Sequence, residues 1–326
     1  MPIFGLGRKS GGLSAKPHME IGDGDPVTLA LINAANHYDW AAARAVLARY
    51  RDDELSILLS SVARDSAGLY DWLKKVHADA QDDPLAVVAF GAATVAYAWR
   101  IRTGLQSQHV SREQFARFHE VLREAEEILY RAVELDPDSA VPWSSLVTSG
   151  RGLQVGIDVT RRRFEAATAR CPAHRLAHQQ MLQDLCRKWG GSHEQMHEFA
   201  AAAAAGPHWA QLAHLVAIAH LEHWLDLPAG AERSAYMKQP AVRKELEEAA
   251  DLSLFQADAD NPRSPYHVAN LFAMAFSLAG LHAEARRAFE LTDGVVTRFP
   301  WQYGNGRDQV SLFTLWRDKA RSARTA

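Results

Sequence analysis

The chain has 326 residues, 36 Lys+Arg against 39 Asp+Glu for a formal net charge of −3, 48% apolar residues and two cysteines. That balance excludes intrinsic disorder and binding to nucleic acid through bulk charge, and two cysteines cannot staple a chain of this size. No apolar run reaches the roughly 18–20 residues of a membrane span, so the expectation is a cytoplasmic protein without a membrane or nucleic-acid partner.

Residues 1–25 hold several glycines and the basic residues Arg8, Lys9 and Lys16, but no apolar stretch of roughly 7–15 residues that a signal peptide needs. They read as a flexible N-terminal arm. From Pro26 onward, 27–50, 84–103, 111–135, 207–225 and 241–257 are rich in Ala, Leu, Arg and Glu with apolar residues recurring at three and four. No alternating Val/Ile/Thr run bounded by turn residues competes with them, so the expected class is all-α. Asp83 before Pro84 marks a helix start, and Ser111–Gln114 and Ser192–Gln195 have capping-box spacing.

Pro137, Pro172 and Pro207 lie 35 residues apart in succession. Eight residues before each stands Leu129, Phe164 or Phe199, and five before each stands Ala132, Ala167 or Ala202. Trp143 and Leu146 follow Pro137, and Ala125-x3-Leu129-x2-Ala132-x4-Pro137 fits the second half of a known signature. The pattern resembles the tetratricopeptide repeat, a helix–turn–helix unit of about 34 residues. Pro262, Leu271, Gly280, Ala285 and Phe289 read as a further unit, and Pro228 to Pro240 as an insertion near 226–240. The resemblance implies an α-solenoid over 111–326, preceded by an N-terminal helical region at 26–110. In it, Phe164 and Phe199 are expected to be buried at equivalent places. Lys188-Trp189-Gly190-Gly191-Ser192 also resembles a segment of a bacterial tetratricopeptide-like family of unknown function. From the residues alone it is a helix–helix turn.

His193-Glu194-Gln195-Met196-His197 spells H-E-x-x-H, the pattern of zinc proteases, with Glu222 as a possible third ligand. With Gln195, Phe199 and Ala202 as the inward stripe, His193 and His197 fall about 120–160° away from Phe199. The zinc hydrolase is therefore the alternative, and no metal or cofactor is expected. Arg161-Arg162-Arg163 reads as a solvated face, Cys171 and Cys186 as buried thiols. The preferred reading is a non-catalytic scaffold for a protein or peptide partner. Its concave strip would carry Thr148, Arg151, Gln179, Gln183, Arg187, Gln211 and His214, a polar and mildly basic surface suited to an extended or acidic segment.

Overall fold

The computed structural model describes residues 12–103, 110–256, 265–304 and 307–323. Helices hold 77% of these residues, and the described part has no strand beyond an isolated bridge between His18 and Val295. The protein is all-α. Residues 1–11 of the expected arm, and Pro262 of the expected last unit, lie outside the described residues. Two compact units form, one of Gly24–Leu215 and one combining residues up to Asp23 with Val216 onward.

The 24–215 unit holds α1 (Pro26–Asn36), α2 (Trp40–Leu47), α3 (Asp52–Asp65), α4 (Leu69–Asp79), α5 (Pro84–Arg102) and α6 (Arg112–Leu135). It continues with α7 (Val141–Leu153), α8 (Ile157–Arg170), α9 (Arg175–Asp184), α10 (His193–Ala205) and α11 (Trp209–Leu212). The helix starts obey local chemistry. Asp83 accepts from Leu85 N ahead of Pro84, and Ser111 and Gln114 make both bonds of a capping box. Helices α6, α8 and α10 each stop two residues before Pro137, Pro172 and Pro207, because the residue preceding a proline is driven out of the α region. In the turn before α10, Gly190 takes φ +99°. A Cβ on Gly191 would lie 2.1 Å from the Leu185 carbonyl oxygen, so neither position accepts a side chain without strain.

Helix α5 packs on α6 and α7, α7 on α8 and α9, and α9 on α10 and α11. The inward face of α6 is Ala125, Leu129 and Ala132, and α8 buries Ala167. Contrary to the expected register, α10 buries Met196 and Ala200, whereas Gln195 and Ala202 are exposed and His193 and His197 are half-buried. Met196 sets this rotation: its sulfur lies 3.4 Å from the buried Cys186 thiol. Phe164 and Phe199 are half-buried rather than buried, and meet edge to face at 5.5 Å around the His178 ring.

Two further expectations are corrected. Helix α5 is long and apolar enough to cross a membrane by length and composition, but 56% of its apolar window is buried, in contact with α3, α4, α6 and α7. That burial is a core helix's. Within the basic run, only Arg161 and Arg162 are exposed. Arg163 is buried and forks onto Glu126 at 2.6 and 2.9 Å, joining α8 to α6.

Helix α3 runs across α5, α7 and α9. Leu55, Leu58, Leu59 and Val62 share one core cluster with Val87, Val88, Phe90 and Val141. Asp52 accepts from Ala140 N at 2.9 Å, and Asp53 from Arg175 Nε at 2.7 Å. Part of the face that stacked first helices would leave open is therefore covered by α3.

Helix α12 (His214–Asp226) spans the junction of the units, followed by α13 (Ala231–Tyr236), α14 (Pro240–Ser253), α15 (Pro265–Ala279), α16 (His282–Leu291), α17 (Arg298–Trp301) and α18 (Gln309–Ser322). The short α13 lies within the stretch near 226–240 expected to be an insertion. Helix α15 is the centre of its unit, with Phe272 and Phe276 fully buried. Asn270 lies among them, donating to the Val295 carbonyl at 3.0 Å and accepting from Trp301 Nε1 at 2.6 Å, so its amide is satisfied. Phe289, Trp301 and Phe313 pack at 4.9–6.0 Å between centroids and fasten α16, α17 and α18 together.

Candidate functional site

The residues expected to line one strip have unequal fates. His214 is buried, and its Nε2 accepts from Gln179 Nε2 at 3.0 Å. Burial pulls its pKa down to about 4, so it is a neutral core group and not a surface contact. Gln179, Gln183 and Gln211 are half-buried, and Thr148 bonds back to the Ser144 carbonyl within its own helix. Arg187 is exposed.

Arg151 is half-buried in a cluster that the sequence reading missed. Its guanidinium lies 4.9 Å from the Trp99 ring centroid and 5.3 Å from that of Trp189. Arg102 lies 5.9 and 5.7 Å from the same two rings, which meet edge to face at 5.7 Å. Trp99 and Arg102 are three apart on the last turn of α5, so helix geometry sends both to one side. Trp189 comes from the turn after α9, held by the glycines that follow it. The Trp99–Arg102 spacing at the end of an apolar helix is the signal that could have revealed the site.

The cluster is rich in donors. Burial lowers the Arg102 pKa, although a guanidinium stays charged at neutral pH. The Trp99 indole N–H is buried without a hydrogen-bond partner among the described residues. Arg187 and Lys188 are exposed beside Trp189 in sequence. Burial raises the Asp184 carboxyl above its usual range, against the opposing pull of a Thr160 hydrogen bond and of the Arg151 charge. Arg102 also donates to the Thr103 carbonyl at 3.0 Å, and both guanidinium groups lie within cation–π range of the two indoles.

Two other constellations mimic catalytic triads. Ser56, His174 and Asp53 lie together, but Ala177 N–H donates to His174 Nδ1 at 3.2 Å, so the ring proton sits on Nε2 and donates to Ser56 Oγ. A serine nucleophile needs that nitrogen as an acceptor, so this is no base for it. The 3.4 Å approach of Asp53 to Nδ1 is likewise no ion pair with a neutral ring. In the other unit, Tyr236 O–H donates to His220 Nδ1 at 2.9 Å and His220 Nε2–H donates to Glu245 at 2.8 Å. Burial raises the Tyr236 pKa and lowers that of His220 to about 4, which favours a neutral clamp joining α12, α13 and α14.

The H-E-x-x-H histidines start α10, which Ser192 caps by accepting from Gln195 N. Among the described residues no group of three or more His, Cys, Asp and Glu side chains is placed to hold a metal ion. Glu222, the expected third ligand, accepts from Tyr303 O–H at 2.8 Å.

No protein-family model matches this sequence, and a search of curated proteins finds no match. The tryptophan–arginine cluster is thus the feature from which a function is read.

Proposed function

We propose that the protein is a non-catalytic scaffold of tetratricopeptide-like helix pairs that binds an acidic segment of a partner protein. What supports the repeat reading is the spacing of helix ends at Leu135, Arg170 and Ala205, each 35 residues on, and the packing of α5, α7, α9 and α11 in sequence. The observation that carries the binding reading is the stacking of Arg102 and Arg151 on Trp99 and Trp189. Two planar cations lie there, and carboxylates accept in-plane, charge-assisted bonds from such forks. Because α3 covers another part of the same helix layer, the partner contact is confined to the end where α5 and α7 finish and Trp189 stands.

A random peptide display selection against the whole chain tests this reading. Enrichment of Asp and Glu in the bound peptides is expected. Arg187→Glu with Lys188→Glu should weaken capture of those peptides, and as exposed changes should leave stability within roughly ±0.5 kcal/mol. Arg151→Glu should abolish capture but also lower stability, since it removes stacking on two indoles worth about 0.5–2 kcal/mol each. Enrichment of neutral or basic peptides, or unchanged capture by the Arg187/Lys188 double variant, would refute the assignment.

A further inference from the structure

A second site lies at the opposite kind of surface, where helix starts rather than helix ends converge. The 24–215 unit contains a cavity of about 260 Å³ between the end of α2, the first turns of α3, α5 and α7, and the segment after α6. That volume is just under the roughly 300–1,000 Å³ of ordinary ligand pockets, so it suits a small molecule. Leu55, Leu85 and Val88 make its apolar floor.

The rim is charged with both signs. Arg44 and Asp83 satisfy each other through two bonds of 2.7 and 3.2 Å, which leaves them as wall. Arg51 is different: it is 80% exposed and reaches Asp136 only at 3.9 Å. Asp52, which also lines the cavity, accepts from Ala140 N through Oδ1 at 2.9 Å. The Asp52 backbone is held at φ +44°, a left-handed conformation that L-residues avoid and that recurs at ligand sites. A loosely engaged guanidinium, two carboxylates and an aliphatic floor thus surround one small space.

We infer that this cavity binds a small aliphatic α-amino acid, its carboxylate on Arg51, its ammonium between Asp52 and Asp136, and its side chain on Leu55, Leu85 and Val88. The charge count supports a zwitterion. A lone anion would meet the two carboxylates, and a lone amine would leave Arg51 without a ligand anion. The same ammonium could also come from the first residue of a peptide, which lacks the adjacent carboxylate.

The test titrates the full chain with L-leucine, L-leucinamide and N-acetyl-L-leucine, followed by calorimetry and by NMR of the ligand. L-Leucine is expected to bind, and each blocked derivative to bind about tenfold or more weaker, as expected for one charge-assisted hydrogen bond lost. Arg51→Ala, a change at an exposed side chain, should weaken L-leucine to the level of its amide and leave the amide unaffected. Asp136→Asn should weaken the two ligands that carry an ammonium. Absence of L-leucine binding at millimolar concentration would overturn the proposal. Equal binding of the amide would place a peptide N-terminus there instead and would also overturn it. Either result leaves the acidic-segment reading standing, because that reading uses none of these residues.

Discussion

Acidification from pH 7 towards pH 4 is expected to destabilise both units, the 24–215 unit most, on the way to an acid midpoint. His174, His214 and His220 are each pulled by burial from an ordinary 6.5 to about 4. Each folded-state pKa is depressed, so between those values the unfolded chain binds protons that the folded chain refuses. Stability is therefore full above about 6.5 and falls as pH drops towards 4. A difference of about 2.5 units at 1.36 kcal/mol each is about 3 kcal/mol per histidine, so on the order of 6 kcal/mol for His174 and His214 in the 24–215 unit and about 3 kcal/mol for His220 in the other. Native proteins hold only about 5–15 kcal/mol in total. His178, also lowered by burial, adds to the trend, while the raised carboxyl of Asp184 opposes it with a single group. Circular dichroism against pH measures the midpoint, and His220→Gln should move it downward for its own unit. A melting temperature as high at pH 4 as at pH 7 would show that these rings are not buried neutral.

Glu126→Leu is expected to cost about 3–5 kcal/mol, because it leaves the Arg163 guanidinium buried with its charge unmatched. Glu126 accepts two bonds from Arg163 and one from Ser149, and without it Arg163 keeps only the uncharged Leu146 carbonyl and Tyr130 hydroxyl. At about 2–4 °C per kcal/mol for a domain of 150–250 residues, the melting temperature of this unit should fall by roughly 10 °C. Adding Arg163→Met should restore most of the loss, since an apolar pair of similar volume needs no compensation. Exposed Arg131, paired with Asp82 and Glu134, is the control: Arg131→Ala should cost about 0–1 kcal/mol. A Glu126 variant no less stable than that control would mean the pair is solvated.

Much of the local structure was legible because local chemistry decides it. Asp83 with Pro84, Ser111 with Gln114, the glycines after Trp189 and the prolines that follow α6, α8 and α10 act within a few residues, and all mark helix boundaries where expected. The inward face of α10 was not legible. A tract of alanines from Ala200 to Ala205 offers no preferred side, so the turn of the helix is set by Met196 meeting Cys186, a contact across two elements. The site was misread for a related reason. Arg151 looked solvent-facing from its place on α7, yet the side chains that embrace it come from the end of α5 and the turn after α9.

The sequence by itself determined that this chain is helical and where most of its helices begin and end, because capping, proline geometry and apolar periodicity are short-range. Only the tertiary structure decided which charged and polar groups are buried. Arg163 and Arg161 are two residues apart in one basic run, but one forks onto Glu126 and the other faces water. His214 and Arg187 were read as one strip, but one is a neutral core group and the other is exposed. Burial is a property of what packs opposite, and α3 lying across α5, α7 and α9 is a long-range arrangement that no local spacing encodes.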